Sequence, residues 1–214
     1  MSRIRAWTDY YIPCTLVRRN KFVTRDQPLG EADPVLLRAK EESRVAIRLI
    51  ELAAHPIRGA FDSGHVKAIH RYLFQNVYEW AGEERVGPDT YMTKGGHAYY
   101  PGGPALTEAA NTEFRRLAAN DVLRGLVHAT FVRELAEVWG ELNVIHSFRE
   151  GNTRTQMVFF AQLCEQAGYE LDVGQFKIGS QVRDDFVAAR FHSQDTGSNA
   201  RLAATLARVV HRAR

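Results

Sequence analysis

Nine consecutive residues carry more chemistry than any other stretch of this 214-residue chain: His146-Ser147-Phe148-Arg149-Glu150-Gly151-Asn152-Thr153-Arg154. A neutral imidazole such as His146 can take a proton from a hydroxyl near pH 7. A carboxylate such as Glu150 can hold Mg²⁺, which in turn neutralises phosphate oxygens. Gly151 lets backbone approach a phosphate closely, and the Arg154 guanidinium can grip phosphate oxygens through two N–H groups at once. Together these residue types suit a hydroxyl attacking a nucleotide phosphate.

The flanking segments explain how such a stretch would be held. Upstream, Leu123, Leu126, Val127, Phe131, Leu135, Val138, Trp139, Leu142 and Ile145 recur at steps of one, three and four, the pattern of one buried helix face. Downstream, Met157, Phe160, Ala161, Cys164 and Ala167 repeat it, and Gly168 ends it. The nine residues are therefore the turn between two helices. Gly151, Asn152 and Thr153 open the second one, where free backbone N–H groups and the positive dipole end favour anions.

The stretch resembles the FIC motif, His-x-Phe-x-(Asp/Glu)-Gly-Asn-(Gly/Lys)-Arg, of the Fic family of AMP transferases, and only Thr153 departs from it. Leu73-Phe74-Gln75-Asn76-Val77-Tyr78-Glu79-Trp80-Ala81-Gly82-Glu83-Glu84-Arg85 resembles a second family segment, Leu-Phe-x-x-Val-Tyr-x-Trp-Ala-Gly. Lys94-Gly95-Gly96, followed by Ala98-Tyr99-Tyr100-Pro101, stands at the place of the family's target-docking flap, and Tyr10-Tyr11-Ile12-Pro13 with Asn20-Lys21 resembles the N-terminus of Fic toxins. The resemblance implies an all-helical Fic fold with a small β-hairpin flap. It implies transfer of AMP from ATP to a Ser, Thr or Tyr hydroxyl of a target protein, with release of pyrophosphate. His146 would be the general base, and Glu150 would hold Mg²⁺ between the α- and β-phosphates. Gly151, Asn152 and Thr153 would bind phosphate through backbone N–H groups, Arg154 would contact the outer phosphates, and Lys94, Gly95 and Gly96 would hold the target by strand addition.

Two departures bear on that expectation. Family members with Gly at position 153 commonly transfer AMP, whereas Lys there marks Doc-type kinases that bind the nucleotide reversed. A β-branched Thr153 is also disfavoured if the loop needs positive φ there. Many relatives carry a second Arg where this chain has Met157; that Arg helps hold the γ-phosphate and pairs with an inhibitory Glu. The alternatives are thus a Fic-fold phosphotransferase or other nucleotide-monophosphate transferase, and an impaired protein that binds nucleotide or a partner without transfer. Fic proteins are commonly silenced by a helix with Ser/Thr-x-x-x-Glu. Ser43 has Ile47 where the Glu should be, so the resemblance implies a small antitoxin supplied in trans, as in bacterial toxin pairs whose targets include type II topoisomerase subunits.

Composition sets the remaining bounds. With 45% hydrophobic and 25% charged residues the chain suits one sizeable core, read as a single domain over 1–214. A net charge of +3 argues against nucleic acid as the main partner. No segment spans a membrane, and the stretch from Met1 to Tyr11 lacks the apolar core of a signal peptide. Cys14 and Cys164 are read as separate thiols of a cytoplasmic protein. Residues 1–33 are expected to form an arm laid on the core. Asp33-Pro34 starts a helix that breaks at His55-Pro56, and Asp62 or Ser63 caps another reaching past Val77 toward Gly82. The Gly-punctuated span 86–104, with Tyr91, Tyr99 and Tyr100, is expected to form the flap hairpin with Gly95-Gly96 near its tip. A helix from about Ala105 to Ala119 follows. Gly168 to Gly174 is a link, Phe176 to Phe191 is helical, and a last helix carries Arg201, Arg208, His211, Arg212 and Arg214 on a solvated face. His65 and His70 fall on different helix faces, which argues against a metal pair. His97 belongs to the flap, and His192 lies where the family's last loop nears the adenine.

Overall fold

The computed structural model describes residues 4–88 and 92–213. Tyr91 and Arg214, and the first three residues of the arm with Met1, lie outside the described residues. Among the described residues six α-helices are arranged around α4 (His128–Ile145): α1 (Pro34–Ala54), α2 (Ser63–Phe74), α3 (Pro104–Ala119), α5 (Asn152–Gln166), α6 (Gln181–Thr196) and α7 (Ala200–Leu206). The all-helical expectation with a small hairpin holds.

Local chemistry sets most helix ends. Asp33 Oδ1 accepts from the N–H groups of Val35 and Leu36 at 2.8 and 3.1 Å, with Pro34 in the first turn. Asp62 caps α2 through His65 N–H at 2.8 Å, and Ser180 caps α6 through Arg183 N–H at 3.2 Å. The buried face of α4 includes Phe131, Leu135, Val138, Trp139, Leu142 and Ile145. Trp139 stacks on Phe160 of α5 with centroids 4.2 Å apart and meets Phe186 of α6 edge-on at 5.1 Å. This locks the three helices that carry the site.

Several boundaries differ from expectation. Leu123 lies in a short 3-10 turn and α4 begins only at His128, so the periodic pattern spans two elements. Helix α2 stops at Phe74, because the segment after it packs Val77, Tyr78 and Trp80 into the core as turns. The link after Gly168 contains strand β3 (Tyr169–Leu171), paired antiparallel with β4 (Val210–Arg212). Arg208, His211 and Arg212 therefore lie beyond α7, and buried Val210 explains why a strand replaced the expected helix.

The flap hairpin pairs β1 (Thr93–Lys94) with β2 (His97–Ala98). Gly95 and Gly96, at φ +60° and +86°, make its two-residue turn. The hairpin is tied to α6: His97 stacks on Phe191 at 4.1 Å and bonds to Asp195 at 2.6 Å, and Gln194 donates to the Ala98 carbonyl. His97 thus anchors the flap to the bundle.

Candidate active site

His146 ends α4 in the left-handed conformation (φ +52°), and its N–H still bonds to the Leu142 carbonyl at 3.2 Å. The turn reverses the chain at this point. Arg85, buried and without an acidic partner among the described residues, donates to the His146 carbonyl at 2.8 Å and to the Tyr100 carbonyl at 2.5 Å. Phe148 plugs the loop into the core, and the Asn152 side chain closes the turn across it. Its Oδ1 accepts from Phe148 N–H at 2.9 Å, and its Nδ2 donates to the Phe148 carbonyl at 2.6 Å.

His70 completes the support. It lies parallel to Phe148 with ring centroids 3.8 Å apart. Its Nδ1 accepts from Gly82 N–H at 2.7 Å, so the proton sits on Nε2, which donates to the Glu150 carbonyl at 3.0 Å. Burial holds its pKa down at about 3. His65 serves elsewhere, its Nε2 meeting the Ile57 carbonyl at 2.9 Å. Gly151 adopts φ +81°, and a Cβ there would stand 2.3 Å from the Phe74 ring, so no other residue fits without displacement.

Helix α5 then starts at Asn152. The N–H groups of Asn152, Thr153 and Arg154 have no acceptor among the described residues. Thr153 is inside the helix and has no positive φ, so its β-branch meets no penalty. Its hydroxyl accepts from Arg190 Nη1 of α6 at 3.3 Å.

These groups border an open cavity of about 1280 Å³ between α1, α5, α6 and the flap. His146, Thr153, Arg154, Met157, Lys94 and Arg190 all line it, with Tyr99 tilted against His146 at 4.3 Å. Glu150, Gly151 and Asn152 are not on its lining, and neither are Gly95 and Gly96, which form the flap turn next to Lys94. His192 is not on the lining. Burial, with Arg85, Arg190 and Lys94 nearby, holds the His146 pKa at about 3, so its ring is neutral. Its Nδ1 is enclosed on the side of the Asn143 backbone, which leaves Nε2 as the nitrogen open to the cavity.

The acidic side of the site is already paired. Burial would raise the Glu150 pKa, but Arg18 at 3.4 Å, the Gly151 N–H at 3.1 Å and Arg154 at 3.8 Å outweigh it and keep the carboxylate ionised. Arg154 also pairs with Glu41 of α1, a buried carboxylate that accepts from Tyr78 as well. No group of three or more metal-binding side chains occurs among the described residues. Glu150 alone, about three-tenths exposed, suits a Mg²⁺ ion completed by substrate phosphates, the usual way this ion is held.

Sequence reasoning weighed His70 only as half of a metal pair, and did not single out Arg18, Glu41 or Arg190. The first three reach the loop from other elements, and Arg190 sits in a helix with no local signature. Arg85 closes the stretch from Leu73 that carries the second resemblance, so it had a signal in the sequence.

The helical bundle thus brings a neutral histidine and the start of a helix with unpaired N–H groups to one cavity. Residues 60–164 match the Fic/DOC family. The chain is 34% identical over 165 residues to the probable protein adenylyltransferase Fic of Salmonella typhimurium, covering 76% of this chain and 74% of that one. It therefore belongs to the Fic/DOC family. It is also 39% identical over 144 residues to the protein adenylyltransferase VbhT of Bartonella schoenbuchensis, 67% of this chain but 29% of that protein's length. Among solved structures, the BepC effector protein of Bartonella tribocorum with bound AMPPNP superposes with a TM-score of 0.83 at 22% identity, covering 97% of this chain and 98% of that one.

Proposed function

We propose that this chain transfers AMP from ATP to a hydroxyl of a target protein. The observation that supports this most is a neutral His146, open at Nε2 to the cavity that the α5 N-terminus also faces. The target Ser, Thr or Tyr oxygen attacks the α-phosphorus, its proton passes to His146 Nε2, and the bond from the α-phosphorus to the bridging oxygen breaks as pyrophosphate leaves. The Asn152, Thr153 and Arg154 N–H groups stabilise the charge that gathers on phosphate oxygens. Negative phosphates beside His146 would offset its three cations and raise its basicity when substrate binds. Glu150 would hold Mg²⁺, which supplies charge neutralisation to the phosphate chain. The open edge of β1, with Lys94 facing the cavity, would pair with an extended target segment.

The resemblance supplies the partners for this reading: a target among type II topoisomerase subunits, a small antitoxin with a Ser/Thr-x-x-x-Glu helix in trans, and a cytoplasmic site of action where ATP is at hand. One observation favours a second reading. Arg190 places positive charge beside Thr153, where kinase-type relatives carry Lys. Incubation with α- or γ-labelled ATP, Mg²⁺ and bacterial lysate separates the two. AMP transfer labels a protein from α-label alone, and the label vanishes with His146→Ala. Transfer from γ-label alone selects the phosphotransferase. No transfer from either label overturns both.

A further inference from the structure

We propose that Arg190 is a phosphate-binding residue of this site, supplying from α6 the second cation that Met157 cannot supply from α5. The inference rests on the preceding reading that the cavity takes a nucleoside triphosphate. Arg190 has no carboxylate within ion-pair distance among the described residues, whereas Arg18 and Arg154 are each paired to Glu41 and Glu150. Its partners are neutral. Nε and Nη2 both donate to Asn143 Oδ1, at 2.8 and 2.5 Å, and Nη1 donates to the Thr153 hydroxyl.

These bonds use three of its five N–H groups and leave two uncommitted. They also fix the guanidinium plane, packed against the Phe186 ring at 5.2 Å, so little side-chain freedom is lost when a ligand binds. A fixed, partly buried cation without a counter-charge is costly unless an anion completes it. The cavity wall bearing Arg190 is the wall shared with Thr153, Met157 and His146. Met157 lies one helical turn beyond Thr153, with an apolar thioether where the second cation would be expected. Thr153 fits the same account. Glycine there could not hold Nη1, and lysine would repel the guanidinium.

Titration calorimetry with ATP and with adenosine tests this on the full chain. Arg190→Met is expected to weaken ATP at least about tenfold, the effect of a lost charge-assisted hydrogen bond, and to leave adenosine within about twofold. Adding Met157→Arg to that variant is expected to return most of the ATP affinity, which a purely structural role for Arg190 would not allow. Should Arg190→Met fail to fold, Arg190→Lys against Arg190→Gln carries the same comparison, with affinity retained only by Lys. Unchanged ATP binding, an equal loss for ATP and adenosine, or no rescue by Met157→Arg overturns the proposal. A wild-type chain that binds ATP with Arg190 dependence yet transfers neither label overturns the proposed activity and leaves this assignment standing. A wild type that binds no ATP overturns both.

Discussion

Acid should unfold this protein by way of two histidines well before its carboxylates titrate. His70 and His146 are both held neutral, with pKa values lowered from an ordinary 6.5 to about 3. For His70 the reason is steric as well as dielectric. A second proton would have to enter at Nδ1, which accepts the Gly82 N–H, and would place charge between Phe148 and Phe74. Because the folded pKa is depressed, the unfolded chain binds more protons between about pH 3 and pH 6.5, and stability falls as pH falls through that window. From about pH 7.5 to about pH 5 each histidine forfeits about 2 kcal/mol, so the pair forfeits about 4 kcal/mol. Urea unfolding at the two pH values measures this directly. His146→Ala should halve the loss, leaving the share of His70. A wild-type loss below about 1 kcal/mol refutes the account of both rings, and one unchanged by His146→Ala refutes that of His146.

Further outcomes follow from the same geometry. Gly151→Ala should destabilise the chain by about 2–4 kcal/mol in urea, through left-handed strain and collision with Phe74, and abolish ATP binding by displacing the loop. Glu41→Ala should cost about 2 kcal/mol in the same assay, since it strips a buried counter-charge from Arg18 and Arg154, discounted because both guanidiniums are about a quarter exposed. The kcat/KM profile of the wild type should lack an acid limb near 6.5, because His146 is already neutral well below it; a limb centred near 6.5 contradicts its depressed pKa. His97→Ala should free the flap from α6, raising KM for the protein target by about threefold to tenfold while ATP affinity stays constant.

The loop and its two helices were legible because their signals are local. The step of three and four from Phe131 to Ile145 marks α4, and Gly168 follows just past the end of α5. Caps at Asp33 and Asp62 likewise depend on residues two or three positions away. What escaped depends on long-range contact. The β3–β4 pair joins residues about forty positions apart, and an alternating pattern of three residues is too short to distinguish from a link. His70 looked idle because its partners, Gly82 and Glu150, come from a turn and from the motif loop. Arg190 was invisible for the same reason. Nothing within its own helix distinguishes it from a solvated arginine until α4 and α5 bring Asn143 and Thr153 against it.

The charges around the cavity divide into a paired half and an unpaired half, and that division constrains how an anion can bind. Arg154 and Arg18 share the carboxylates of Glu41 and Glu150, and Glu41 is buried enough that stripping both guanidiniums from it would cost several kcal/mol. Arg154 can therefore turn toward a phosphate only while keeping part of its contact with Glu41, which weakens it as the principal grip. Lys94 and Arg190 carry no such obligation among the described residues, and both line the cavity close enough to His146 to act on its charge. A polyphosphate lowers its energy most by lying on that side, over the open N–H groups of α5. In the transfer proposed above, the α-phosphorus would lie beside His146, and the ionised Glu150 would hold the Mg²⁺ that offsets phosphate charge.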